Sequence, residues 1–267
     1  AELEELQAEL IAMPLQCGEE TYVDDKTTPV EVFWQMLLDG VNIKTSLPSP
    51  DTFVQKFEAA KEAGDEVICI LIASKLSGTY QGAMLAKQIV DYDGIHVIDA
   101  GHAAASVAEK MLVIAACRMR DQGCTAEEIV RRLEQLRGSV RLIACLDTLE
   151  YLARGGRLPA AVASIGTKLQ LKPIIVFGEN GEIQVVKKCM GSKRAMRDMT
   201  EMVTERRIDP EYPVIPIFAQ NDGNCQEYMA ALKNAGCEGT MQAPQGIGAT
   251  IGSYIGPGGY GIVFVEK

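Results

Sequence analysis

Long apolar runs are missing from this 267-residue chain. The longest, 67–73 and 111–117, reach about seven residues, far short of the ~20 that a membrane-spanning helix needs. Basic charge is also scarce. Against 36 Asp and Glu stand 26 Lys and Arg, a net charge of −10, so the basic stripe that matches nucleic-acid phosphates is not expected. There are only two histidines, His96 and His102, and no C-x-x-C spacing, which excludes the common zinc patterns. No secretory apolar segment opens the chain, and no internal repeat or low-complexity stretch interrupts it. What remains is 47% hydrophobic and 23% charged residues, enough for a globular core in one large or two medium domains. Of the eight cysteines, Cys69, Cys117 and Cys145 sit inside apolar runs, where a free thiol behaves as a small hydrophobe. They read as reduced, buried thiols of a cytoplasmic protein.

The segment AELEELQAELIAM reads as an amphipathic helix with Leu3, Leu6, Leu10 and Met13 on one face. Since an α/β domain usually leads with a strand, a leading segment is expected to be absent from this sequence. From Pro48 onward strands and helices alternate. Ser49 and Pro50 start a helix that Gly64 ends. EVICILIA follows as a buried strand, then the loop SKLSGTY, a helix to about Val90 and the strand IHVID. A long helix from about Ala103 to Gln122 comes next, and Thr125 with Glu128 predicts a capping box for another that ends near Gly138. RLIACLD completes what the alternation predicts to be a parallel α/β sheet. Beyond the short helix DTLEYLARGG the pattern changes. Asn180-Gly181 joins two strands as an antiparallel hairpin. A helix over about 193–207, the strand PVIPIFA, a helix ending near Gly236, the strand GTMQA and a Gly-rich tail follow. The expected organisation is α/β with two domains: residues 1–155, a parallel α/β unit, and 156–267, an α/β unit with a mixed or antiparallel sheet.

Candidate chemistry starts at the loop Ser74–Tyr80, which leaves the C-terminal end of a buried strand and opens a helix. Ligands bind at such ends, and Ser77, Gly78 and Thr79 offer two hydroxyls and close backbone approach to an anion. The plainer alternative is that Ser77 and Thr79 only cap the helix. Thr45 and Ser46 are spare hydroxyls before the helix that Ser49 starts. In ARGGRLP, Gly155 reads as the residue after a helix end, and Arg157 as a solvated cation. The tail spacing Gly246, Gly248, Gly252 does not support a dinucleotide site, because no βαβ unit can follow it; these glycines fit tight turns and close approach instead. Ser77 lies outside G-x-S-x-G. Only His102, just after a strand, could reach its cleft as a base.

Taken in order, TSLPSPDTF, ILIASKLSGTYQGA, LDTLEYLARGGRL, LQLKPII with its hairpin, and IGSYIGPGGYGI make the chain similar to the DegV family of bacterial fatty-acid-binding proteins. Residues 8–25 resemble the family's stretch after its first strand. The resemblance implies two α/β domains with a long-chain fatty acid between them and its tail in an apolar tunnel. It implies that Thr45 and Ser77 hydrogen-bond the carboxylate, with Ser46, Gly78, Thr79 and Tyr254 nearby and no cofactor. In several members a separate fatty-acid kinase phosphorylates the bound acid, so the chain itself is expected to be a non-catalytic carrier, with Arg157 a contact for that partner or its phosphate. Two positions depart. Tyr254 stands where the family often has His in I-G-x-H-x-G-P-G, and Met190 where it commonly has Arg after the hairpin. Tyr does not titrate near neutral pH as His does. The alternatives that stay open are an acyl-transfer or hydrolytic enzyme using Ser77, and a lipid-responsive sensor.

Overall fold

The computed structural model describes residues 2–158, 162, 171–237 and 240–267. Pro159 of ARGGRLP, Leu169 and Gln170 of LQLKPII, and Gly239 of GTMQA lie outside them. In chain order the elements are α1 (Glu2–Glu5), β1 (Pro14–Cys17), β2 (Glu20–Val23), α2 (Val30–Leu38), β3 (Ile43–Thr45), α3 (Pro50–Ala63), β4 (Val67–Leu71), α4 (Thr79–Val90) and β5 (Ile95–Asp99). A 3-10 turn (Gly101–Ala103) precedes α5 (Ser106–Asp121), α6 (Ala126–Arg137), β6 (Val140–Cys145) and α7 (Glu150–Arg154). The remainder is β7 (Leu171–Phe177), β8 (Ile183–Met190), α8 (Ser192–Thr204), β9 (Ile215–Phe218), α9 (Gly223–Asn234), β10 (Gln245–Gly246), α10 (Ala249–Ile255) and β11 (Tyr260–Val265).

Among the described residues the strands form three sheets: antiparallel β2-β1-β3, parallel β4-β5, and a mixed sheet in the order β10-β9-β11-β6-β7-β8. Strand β11 shows how the large sheet is covered. All six of its residues are buried, and they alternate in direction as a strand must. Val263 and Val265 join the core under α5 and α6, while Tyr260, Ile262 and Phe264 join the core under α8 and α9. A third core gathers Phe53 and Phe57 of α3 with Ala83, Ala86 and Val90 of α4 against Leu71 and Ile95.

Local signals in the sequence act as their chemistry predicts. Ser49 Oγ accepts from Asp51 N at 3.3 Å, and Gly64 closes α3 in the left-handed region at φ 74°. Thr125 and Glu128 form the reciprocal capping box of α6. Gly181, at φ 80°, turns the β7-β8 hairpin, whose strands pair antiparallel. The cysteines at 17, 69, 117, 124, 145, 189, 225 and 237 are all free.

Four expectations need correction. The first helix is only Glu2–Glu5. Arg120 takes the carbonyls of Leu6 and Gln7 at 3.0 and 3.3 Å, Gln7 turns the chain at φ 48°, and sheet pairing claims 14–17. RLIACLD is no part of the parallel sheet: β6 runs antiparallel to both β11 and β7. A continuous apolar run reports burial on both faces, not direction. Among the described residues of GTMQA only an isolated bridge, Met241 to Val214, forms, and the next strand is β10, after Pro244. The helix before Gly155 ends differently too, since Gly155 itself stays right-handed at φ −76°. Gly156, not Gly155, adopts the left-handed conformation (φ 71°).

Candidate functional site

Strands β4 and β5 are parallel, so their C-terminal ends open on the same side. The Asp99 carboxylate at the end of β5 accepts from Ser74 N at 3.1 Å and Gly101 N at 2.9 Å, tying together the loops that follow the two strands. The hairpin tip docks there: a Cβ built on Gly181 would lie 2.3 Å from Ala73 Cβ. The turn thus brings the large sheet against the β4 loop.

A narrow cavity of about 60 Å³ lies at this junction. The β4 loop gives Ile72, Leu76 and Ser77 to its wall; the small sheet and its approach give Met13 and Thr45. Ile175, Phe177 and Ile183 come from the hairpin, and Thr250, Ile251, Tyr254 and Ile255 from α10. Ala105, Leu152 and Arg157 complete it, and Arg157 is the only charged side chain among the described residues that line it.

The polar groups are organised in pairs. Thr45 Oγ1 and Tyr254 OH are 2.6 Å apart. Ser77 Oγ and Thr79 Oγ1 are 2.8 Å apart, and Thr79 Oγ1 reaches Met13 Sδ at 3.8 Å. Arg157 is held from two sides, donating from Nε to Leu76 O at 3.0 Å and from Nη1 to Gly155 O at 2.7 Å. Its guanidinium lies 5.0 Å from the Tyr254 ring centroid, a cation–π geometry.

Glycines make this packing feasible. A Cβ on Gly155 would stand 2.3 Å from the Tyr254 ring, one on Gly256 2.2 Å from the Tyr151 ring, and one on Gly252 2.6 Å from Trp34. Close approach, as the glycine spacing of the tail suggested, is what they provide.

Thr45, Ser77, Arg157 and Tyr254 therefore all line the same cavity. Thr79 supports Ser77 from behind, and Ser77 Oγ also accepts weakly from Thr79 N at 3.4 Å, so capping and cavity-lining coexist there. Gly78 lies beneath Leu47, whose Cδ1 a Cβ would meet at 3.2 Å. Ser46 is exposed and off the wall, its N–H donating to Pro14 O at 3.1 Å. His102 is also off the wall; burial and Arg141 hold its imidazole below the usual range. His96 pairs instead with Glu66 at 3.4 Å. Sequence reasoning missed Thr250 and Met13. The first is hidden in a Gly-rich helix of seven residues, the second in an extended approach to β1 that reads as helical. Met190 is exposed at the far end of β8.

Fold and cavity together define an α/β protein with an amphipathic slot where its sheets meet. Apolar walls lead to hydroxyls and one arginine. The family follows from comparison: the model described as "Uncharacterised protein, DegV family" matches residues 1–267, and the chain belongs to that family. A DegV domain-containing protein of Caldanaerobacter subterraneus subsp. tengcongensis is 34% identical over 97% of this chain and 91% of its own length. Among solved structures, a DegV family protein from Thermus thermophilus described by its fatty acid binding superposes with a TM-score of 0.87 at 27% identity, covering 99% of this chain and 94% of that one. DegV of Bacillus subtilis, described as a fatty acid binding protein, gives 0.82 at 27% identity over 100% and 94%. Among the described residues no helix is long and apolar enough to cross a membrane, and no group of three or more His, Cys, Asp or Glu is placed to hold a metal.

Proposed function

We propose that this chain binds a long-chain fatty acid non-covalently, its carboxylate at the Thr45, Ser77 and Tyr254 hydroxyls and its tail along the apolar walls. The observation that carries the reading is the wall chemistry: hydroxyl-bearing residues and Arg157 line an otherwise apolar slot. An anion with a long apolar extension fits that combination, and the Thermus and Bacillus relatives are described as fatty-acid binders. Burying about 15 methylenes contributes roughly 12 kcal/mol gross, before association costs. A hydroxyl to a carboxylate adds only about 1.5–3 kcal/mol. The tail sets affinity and the hydroxyls set orientation. A tail of that length exceeds the present slot of about 60 Å³, so binding parts its apolar walls.

The same reading takes the chain as two units, 1–155 and 156–267, with the ligand between them and β6 of the first reaching into the sheet of the second. It makes the chain a carrier, not a catalyst: Ser77 Oγ engages Thr79, with both histidines off the wall. Ser46 and Gly78 act through the loops they shape. We place the chain in the cytoplasm, where its free thiols stay reduced. A separate fatty-acid kinase is the partner that Arg157 would serve; Met190, where the family resemblance expects arginine, argues for weaker coupling.

Titrating hexadecanoic acid into the wild type, Ser77→Ala and Thr45→Ala tests the head-group assignment. Each variant should bind about ten- to a hundredfold more weakly while staying folded. Full affinity in both would refute it.

A further inference from the structure

Thr250 is the second residue of α10, 8% exposed and on the cavity wall. Its backbone is fixed from two sides. Its N–H donates to Asp24 Oδ2 at 2.9 Å, and its carbonyl accepts from Ser253 Oγ at 2.8 Å. Its own Oγ1 is fully buried with no hydrogen-bond partner among the described residues. Such groups are rare in folded proteins, because leaving them unpaired costs stability. Two other buried hydroxyls, on Tyr228 and Tyr260, belong instead to the core under α8 and α9, where Tyr260 meets the Cys145 thiol.

Position gives the hydroxyl a purpose. Thr250 and Tyr254 are four residues apart, hence on one face of α10, and Tyr254 holds Thr45. Thr250 therefore stands one helical turn from the polar end of the slot. A carboxylate offers roughly four acceptor positions. Thr45 and Ser77 already bond Tyr254 and Thr79, so a ligand must share or break those bonds to engage them. Engaging Thr250 breaks none.

Resting on the fatty-acid reading, we propose that Thr250 is a further donor to the ligand carboxylate, one whose engagement costs no existing hydrogen bond. The χ1 rotation that turns the hydroxyl to the ligand is open to threonine in a helix, which populates two rotamers there.

The test compares hexadecanoic acid binding by the wild type, Thr250→Val, Thr250→Ser and Thr45→Ala, together with thermal melting of each ligand-free protein. Valine keeps the shape and removes the hydroxyl; serine keeps the hydroxyl. Expected are an affinity about ten- to a hundredfold lower for Thr250→Val, near-wild-type affinity for Thr250→Ser, and a melting temperature for ligand-free Thr250→Val equal to or above that of the wild type. Wild-type affinity in Thr250→Val, with Thr45→Ala weakened, overturns this inference alone. Weak binding in both Thr250 variants, together with lowered melting temperatures, also overturns it, because the role is then structural. No binding by the wild type overturns the fatty-acid reading and this inference with it.

Discussion

Gly155→Ala adds one methyl group where the structure has room for none. Its Cβ would lie 2.3 Å from Tyr254 Cδ1 and 2.4 Å from Cε1, so the ring must retreat by about 1 Å to reach ordinary van der Waals contact. Tyr254 cannot retreat freely. Its hydroxyl bonds Thr45 at 2.6 Å and its ring carries the Arg157 guanidinium at 5.0 Å. A shift of that size takes the Thr45 bond past hydrogen-bond length. Overpacking costs about 1–3 kcal/mol and the lost bond about 1 kcal/mol, a total of roughly 2–4 kcal/mol. Gly156 is the control. It sits next in sequence at φ 71°, but a Cβ there meets nothing within 4 Å, so Gly156→Ala pays only the left-handed backbone penalty of about 1–2 kcal/mol. Urea denaturation of both variants measures the stabilities, and calorimetric titration with hexadecanoic acid measures binding. Gly155→Ala should lose at least tenfold in affinity; Gly156→Ala should bind as the wild type does. Equal binding by the two would refute the claim that Gly155 exists to seat Tyr254.

Burial pushes the Glu109 carboxyl, in the first turn of α5, up from 4.5 to about 8. Below pH 4.5 it is neutral in both states and costs nothing; between 4.5 and about 8 only the unfolded chain ionises, so stability falls as pH rises. Glu109→Gln should flatten that slope and exceed the wild type at pH 9, by at most about 5 kcal/mol at 1.36 kcal/mol per pH unit; parallel curves from pH 4 to 9 would contradict the burial argument. Gly181→Ala meets Ala73 Cβ at 2.3 Å and Gly101 O at 2.8 Å, at φ 80°. It should cost about 2–4 kcal/mol, and an unchanged urea midpoint would mean that the hairpin tip does not dock on the β4 loop.

Much of this was legible one residue at a time. Ser49, Thr125, Glu128 and Gly64 are local signals whose chemistry acts within a few residues, and each sits where its cap predicts. Asn180-Gly181 marked the hairpin for the same reason. Direction in a sheet is not local: RLIACLD and EVICILIA look alike as apolar runs, yet β4 pairs parallel and β6 antiparallel. The site divides along the same line. The hydroxyls at 45 and 77 stood out as spare polar groups beside helix starts, but the Thr45–Tyr254 bond joins residues 209 positions apart and no spacing reveals it. Thr250 escaped notice because a threonine among glycines reads as a turn, and only the three-dimensional structure shows its hydroxyl unpaired.

Native mass spectrometry of the purified protein, followed by extraction of the same sample under denaturing conditions, tests the central claim most directly. The account predicts an adduct of fatty-acid mass on the folded chain that denaturation releases into the organic extract. A protein that carries no adduct and takes up no added hexadecanoic acid contradicts it, as does an acyl group that stays attached after denaturation.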